Sequence, residues 1–443
     1  MASPVYPASM ADQTRADFII DVLSREFGEL MAVDPTAFRR KFRKMAATPF
    51  AFYRGSASLF YADLTGAYRD DRFLTDRTSR VWIHGDLHAE NFGTYMNSSG
   101  QLVFNVNDFD EAYVGPFSWD LKRFSASLAL IGYGKALSDD AITALVTTFA
   151  QAYLTELRAI AKGGDDAIGS ITLDNADGVL RRVLQEARLN TRVDLLAGQT
   201  TVDDYERRFS LGDGVYEVDE DTAKLVTAAF QDYLQTLPSQ GEGAHTGIKD
   251  IKLRKGVGIG SAGLPSYNLL LEGHTQALEN DVIIYMKQAQ VPAVARWVDD
   301  EQVKGYFKHQ GHRTAESQRA LQAHADPWLG YTELNGVGQL VAEVSPYAND
   351  LDWSDVNEPE ELSGVVADLG RAVARMHSVA DDESSHDLVD FSTEEAIVAE
   401  VDKDEPGFVA LLVDFAHRYG DQAREDHQDF VDVFRNGRLP GLE

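Results

Sequence analysis

The chain has 443 residues, 41 Lys and Arg against 71 Asp and Glu, a formal net charge of −30, and no cysteine. Such a charge is repelled by nucleic-acid phosphates and by anionic membrane surfaces, so neither is expected as a partner. The missing thiols exclude disulfide frameworks, thiolate zinc sites, cysteine-ligated iron–sulfur clusters and cysteine nucleophiles.

At roughly 100–200 residues per domain the length allows about two to four domains or one large two-lobed unit. With 44% hydrophobic residues the chain can bury a sizeable core. Residues 1–17 lack the basic and apolar regions of a secretory signal, and no window approaches the ~18 apolar residues of a membrane span. A cytoplasmic protein is expected.

In chain order, helical spacing begins at residues 16–31, with Phe18, Ile19, Val22, Leu23, Phe27 and Leu30 as apolar positions. Short apolar runs at 80–83 and 102–106, bounded by Gly, Asn and Asp, predict two strands flanking a loop. Helical periodicity returns at 119–131, 140–160 and 174–189, and the Gly-rich polar stretch 241–247 marks a boundary. Beyond it, 267–271, 282–286 and 340–344 read as strands and 313–324 as a helix. A further amphipathic helix carries Val365, Val366, Leu369, Val373 and Met376 on one face. Charge is uneven: residues 351–443 carry −17, 246–350 only −2, and 1–245 the remaining −11. An anionic ligand meets least repulsion in the middle segment, where Lys249, Lys252, Arg254 and Lys255 cluster.

The most informative string is His84-Gly85-Asp86-Leu87-His88-Ala89-Glu90-Asn91, followed by Asn107-Asp108-Phe109-Asp110-Glu111. Asn91 lies five positions after Asp86, and Asp108 lies 17 after Asn91. This is the spacing of the H-x-D-x-x-x-x-N catalytic loop and the metal-binding D-F of phosphoryl-transfer enzymes. The chemistry requires those residue types. A carboxylate, Asp86, takes the acceptor hydroxyl's proton, and hard oxygens of Asn91 and Asp108 hold magnesium against the donor's phosphates. Singly, each residue reads as a turn former. A rival reading takes His84, Asp86 and His88 as ligands of a metal-dependent phosphohydrolase, which leaves Asn91 without a role.

A second element, Gly256, Gly258, Gly260, Ser261 and Gly263, is by itself a weak phosphate-loop signal shared with dinucleotide-binding turns. The short run 265–273 after it favours a strand hairpin over a helix. Lys287, in an apolar strand, needs an anionic partner or a solvated face, and Glu316 in the helix at 313–324 is the candidate partner. Arg54, beside Gly55, suits a phosphate, an acceptor, or one of the chain's many carboxylates.

The 84–91 and 107–110 strings resemble the catalytic and metal-binding loops of aminoglycoside phosphotransferases and related small-molecule kinases. More closely, the chain resembles the bacterial family of domain of unknown function 2252. Phe52-Tyr53-Arg54-Gly55, His84 to His88, Asn107 to Glu111, Trp119-Asp120-Leu121-Lys122-Arg123, Gly256 to Ser261 and Asp326-Pro327-Trp328-Leu329-Gly330 carry that resemblance. The closer family is largely uncharacterised, and it is the phosphotransferase resemblance that implies an α+β, two-lobed, protein-kinase-like fold.

Because the Gly-rich element follows the catalytic loop instead of preceding it, the lobe order is expected to be circularly permuted. Residues 1–245 would form a catalytic lobe, 246–350 a nucleotide lobe, and 351–443 a helical segment completing the first. Glu343 to Tyr347 would be a hinge offering backbone groups to adenine. The phosphotransferase resemblance carries Asp86 over as catalytic base with His84 beside it, and Asn91 and Asp108 as metal ligands. Arg54, His88, Asp110 and Asp120 are expected to bind substrate or support the loop.

The function expected is ATP- and Mg²⁺-dependent phosphoryl transfer to a hydroxyl of a small molecule or peptide, neutral or cationic given the chain's charge. Nucleotidyl transfer, the phosphohydrolase and a non-catalytic nucleotide sensor are the alternatives.

Overall fold

In the computed structural model, which describes residues 13–163, 170–238, 247–255, 264–380 and 388–442, apolar periodicity sorts the chain into an antiparallel sheet and a larger helical body. The described residues form 14 α-helices and several antiparallel sheets, a mixed α+β architecture. No helix among them is long and apolar enough to cross a membrane.

The largest sheet has six strands, in the spatial order Gly330–Leu334, Val337–Glu343, Val282–Gln288, Ser266–Leu271, Ile248–Arg254 and Val215–Tyr216. Its two faces show the two-residue period of a strand. Leu340 and Ala342 pack with Ala315 of the helix Gln310–Leu321. Val341, between them, packs on the opposite side with Val226, Phe230 and Tyr233 of the helix Glu220–Leu234. The sheet and its apolar layer therefore begin before residue 246, where the sequence suggests the nucleotide lobe starts. Of the boundary expected at 241–247, residues 241–246 lie outside the described residues.

The helical body has one main core. Phe124 and Leu128 of the helix Phe117–Gly134 join Val146 and Phe149 of Asp139–Ala161. Leu369, Val373 and Met376 of Pro359–Ser378, and Leu412 and Phe415 of Glu405–Arg435, close it from the C-terminal part of the chain. Gly370 lets two of these helices touch, since a Cβ there would lie 2.7 Å from the Phe149 carbonyl oxygen.

The two strands expected at 80–83 and 102–106 exist as Val81–Ile83 and Leu102–Val106 but are not partners. The first pairs with Tyr113–Gly115 and the second with Phe92–Met96. These partners show no clean alternation, because Tyr113–Gly115 is buried throughout.

Candidate functional site

The loop after Val81–Ile83 turns at Gly85, whose φ of +79° and lack of a Cβ are both used: a Cβ would lie 2.1 Å from the Glu111 carbonyl oxygen. Asp120, fully buried in the first turn of Phe117–Gly134, supports the turn from below. Its carboxylate accepts from the His84 N–H at 2.6 Å and the Gly85 N–H at 2.9 Å. His377 Nε2 lies 3.3 Å from the same carboxylate, and His377 Nδ1 lies 3.0 Å from the Tyr153 hydroxyl.

His84 departs from the expected catalytic role. It is fully buried, its Nε2 donates to the Asn107 carbonyl at 2.8 Å, and its Nδ1 accepts from the Asp86 N–H at 3.3 Å. With both ring nitrogens engaged by backbone it holds the loop in place and does not reach the cleft.

Asp86 is ion-paired to Arg123, whose Nε donates to Oδ1 at 2.6 Å. Arg123 is fully buried, donates also to the Tyr53 carbonyl, and lies 4.4 Å from the centroid of the Tyr53 ring. Burial pushes the Asp86 carboxyl above the usual carboxylate range, and Arg123 pulls it part of the way back. Asn91 Nδ2 donates to the Asp86 carbonyl at 2.9 Å, which turns its Oδ1 away from the loop with no donor on it among the described residues.

Asp108 adopts left-handed backbone geometry (φ 62°), which Asp tolerates better than most residues with a side chain. Enclosure in the cleft, and then the Asp110 carboxylate beside it, push its carboxyl up. Asp110 is held below the ordinary range, against the burial that would raise it, by Lys287, whose Nζ is 2.7 Å away.

This pairing corrects the expected Lys287–Glu316 pair. Glu316 is bound by Arg319 of its own helix at 2.6 Å. Gln318 and Gln322 face the cleft, and a residue two positions from Gln318 lies on the other side of a helix.

The expected hinge lines the cleft but has little to offer a base at its start. The Glu343 N–H is taken by Asp326 Oδ2 at 3.0 Å and the Val344 N–H by the Ile283 carbonyl at 2.8 Å. The Glu343 carboxyl pairs with Arg192 at 2.8 Å, and burial lifts it to about 7. Arg54 is ion-paired with Glu90. His88 is buried, and burial holds its imidazole well below the usual range. Gly256, Gly258, Gly260, Ser261 and Gly263 lie outside the described residues. The strands on either side pair antiparallel with Arg254 opposite Ser266, the arrangement of a hairpin and not of a strand–loop–helix unit.

Two cavities meet at this point. A cleft of about 600 Å³ runs between the sheet and the loops, lined by Asn91, Asp108, Asp110, Lys287, Arg254 and the 343–345 segment. A chamber of about 300 Å³ lies on the other side, lined by Asp86 and His88, and shares Arg54, Asp108, Asp110 and Lys287 with the cleft. Among the described residues no three His, Cys, Asp or Glu side chains converge as a metal cage, so His84, Asp86 and His88 do not form one. Asn91 and Asp108 line the cleft with an amide and a carboxylate, the latter disfavoured in its charged form by enclosure and then by Asp110, and these are the two hard oxygen donors that a magnesium ion would use. Mg²⁺ usually completes its shell with water and phosphate.

Several residues here escape sequence reasoning. Arg123 stands in a quoted string without a role of its own, and an arginine in a helix as deeply buried as this one signals a buried anion. Arg313, also fully buried, donates to the Ala112 and Gln290 carbonyls, tying the helix Gln310–Leu321 to the Asp108–Glu111 turn. His377 and Lys41 have no local signal.

Fold and site together define an α+β protein with a carboxylate-lined cleft between a sheet and a helical body. The chain belongs to DUF2252, a family described as an uncharacterized protein conserved in bacteria, whose model matches residues 33–433. No curated protein and no solved structure matches it.

Proposed function

We propose that the protein is an ATP- and Mg²⁺-dependent phosphotransferase acting on a hydroxyl, built as a kinase-like fold with permuted lobe order. The observation that carries this reading is the convergence of Asp86, Asn91, Asp108 and Lys287 on two connected cavities, one sized for a nucleotide and one for an acceptor. Asn91 and Asp108 would hold Mg²⁺, which offsets the charge of the donor's phosphates when bound.

Lys287, kept protonated by Asp110, would contact those phosphates from the sheet side. Asp86 would take the hydroxyl proton, its raised pKa bringing it nearer working pH, with Arg123 fixing its orientation. In the transfer the acceptor O–H bond breaks toward Asp86 and the oxygen bonds to the γ-phosphorus. The bond from that phosphorus to the β–γ bridging oxygen breaks, releasing ADP.

Calorimetric titration with a non-hydrolysable ATP analogue tests the reading. Binding is expected to require Mg²⁺ in the wild type and to lose that requirement in Asp108→Asn. Analogue binding that ignores Mg²⁺ in the wild type, or none at all, sinks the proposal.

A further inference from the structure

Lys41 is unusual among the chain's cations. It sits on the helix Pro35–Met45, is 5% exposed, and lines the 300 Å³ chamber that Asp86 also lines. Its ammonium lies 3.9 Å from the centroid of the Phe27 ring and 5.8 Å from that of Phe38. Among the described residues it has no ion-pair or hydrogen-bond partner.

The carboxylates near it are committed elsewhere: Glu26 to Arg296 at 3.0 Å, Glu111 to the Ala293 N–H at 2.6 Å, and Asp86 to Arg123. Burial pushes the Lys41 pKa down to about 8, and its close neighbours are the Phe27 and Phe38 rings, so an anion entering the chamber would meet a cation that no carboxylate has already taken.

We infer that this chamber is the acceptor subsite, and that Lys41 binds an oxyanion, carboxylate or phosphate, carried by the same acceptor whose hydroxyl faces Asp86. The inference rests on the phosphotransferase reading above and narrows the acceptor to a small hydroxy acid or a phosphorylated polyol. The aromatic wall of Phe27 and Phe38 would cover the acceptor's carbon skeleton. The hydroxyl proton still goes to Asp86, and the β–γ oxygen still leaves with ADP. The chain's overall negative charge favours a neutral or cationic acceptor only at long range, where salt screens it within about 8–10 Å. Inside the chamber, which Glu26, Asp86, Asp108, Asp110 and Glu111 also line, Arg54 and Lys287 are ion-paired, and Lys41 is the cation left for an anion among the described lining residues.

The test uses the full chain, wild type and Lys41→Met, saturated with Mg²⁺ and the non-hydrolysable ATP analogue. Ligand-observed NMR titrations with glycerate, glycerol 3-phosphate, glycerol and ethanolamine then rank the classes. One of the two anions is expected to bind at least about tenfold more tightly than glycerol, an advantage that Lys41→Met removes. Which anion wins tells carboxylate from phosphate. Ethanolamine binding more tightly than both anions, anion binding that survives in Lys41→Met, or no anion binding to the wild type overturns the inference.

A readout that needs no variant is acylation of wild-type lysines by acetic anhydride, located by mass spectrometry. The preferred anion should protect Lys41, and unchanged labelling at saturation counts against the assignment. Analogue titration of the same samples separates the two levels. If the wild type does not bind the analogue, the phosphotransferase reading falls and this inference with it; if it binds the analogue but no anion, only the acceptor assignment falls.

Discussion

Asp120→Asn is the sharpest test of how the loop bearing Asp86 is held. The native carboxylate, fully buried, accepts two backbone N–H groups, from His84 at 2.6 Å and Gly85 at 2.9 Å. Asparagine has the same shape but one acceptor oxygen. One charge-assisted bond disappears, at about 1.5–3 kcal/mol, and the new NH₂ faces a buried backbone donor, at about 1–3 kcal/mol more. Removing a buried charge offsets part of this, so the net loss is about 2–4 kcal/mol. Urea unfolding followed by tryptophan fluorescence should show a lower midpoint at an unchanged slope. Adding His377→Gln should cost less in the Asp120→Asn background than in the wild type, because the two side chains share one contact. A variant within about 0.5 kcal/mol of the wild type would refute the reasoning, since that is the range of a surface change.

Lys287→Ala should weaken binding of the Mg²⁺-bound ATP analogue about 10- to 100-fold, the worth of one charge-assisted contact; calorimetry showing equal affinity would remove Lys287 from the site. Glu111 has its carboxyl pushed by burial, and then by Asp86, from an ordinary 4.5 up to about 8. The folded state therefore holds a proton that the unfolded state has lost, and stability should decline as pH rises from about 4.5 through about 8. In Mg²⁺-free buffer, Glu111→Gln should flatten that part of the melting-temperature profile, and a profile as steep as the wild type's would point to other groups. Gly85→Ala combines a left-handed backbone with a Cβ 2.1 Å from a carbonyl oxygen, and should lower stability by at least about 2 kcal/mol in the same urea assay.

What the sequence discloses is what local chemistry dictates. The helices at 16–31, 119–131, 140–160 and the one bearing Val365 to Met376 follow from 3.6-residue periodicity, and the structure has them as Arg15–Val33, Phe117–Gly134, Asp139–Ala161 and Pro359–Ser378. The strands at 267–271 and 282–286 follow from short apolar runs beside Gly and Pro. The 31-residue helix Glu405–Arg435 falls in the segment expected to be helical, 351–443, but its bounds and length are not anticipated, because its acidic residues interrupt the apolar stripe.

At the site, the co-location of Asp86, Asn91 and Asp108 is legible because they share a short stretch of chain. Partner choice is not. Lys287 selects Asp110 over Glu316, and Asp86 selects Arg123, through packing between distant segments that no local spacing encodes. The basic cluster before the Gly-rich segment is likewise mostly consumed by the fold, with Lys249 on Asp281 and Lys252 on Asp250, leaving Arg254 to line the cleft.

The contact between His377 and Asp120 joins positions 257 residues apart beneath the same loop. During synthesis at about 5–20 residues per second, that interval lasts roughly 13–50 s. Through all of it the nascent chain already carries Asp86, Asn91 and Asp108 but lacks the helix that closes the core behind them. A ribosome that stops within that interval therefore releases a polypeptide bearing Asp86, Asn91, Asp108 and Asp110 without the His377 helix that supports their loop. The main helical core is complete only once Pro359–Ser378 and Glu405–Arg435 have been made and pack into it.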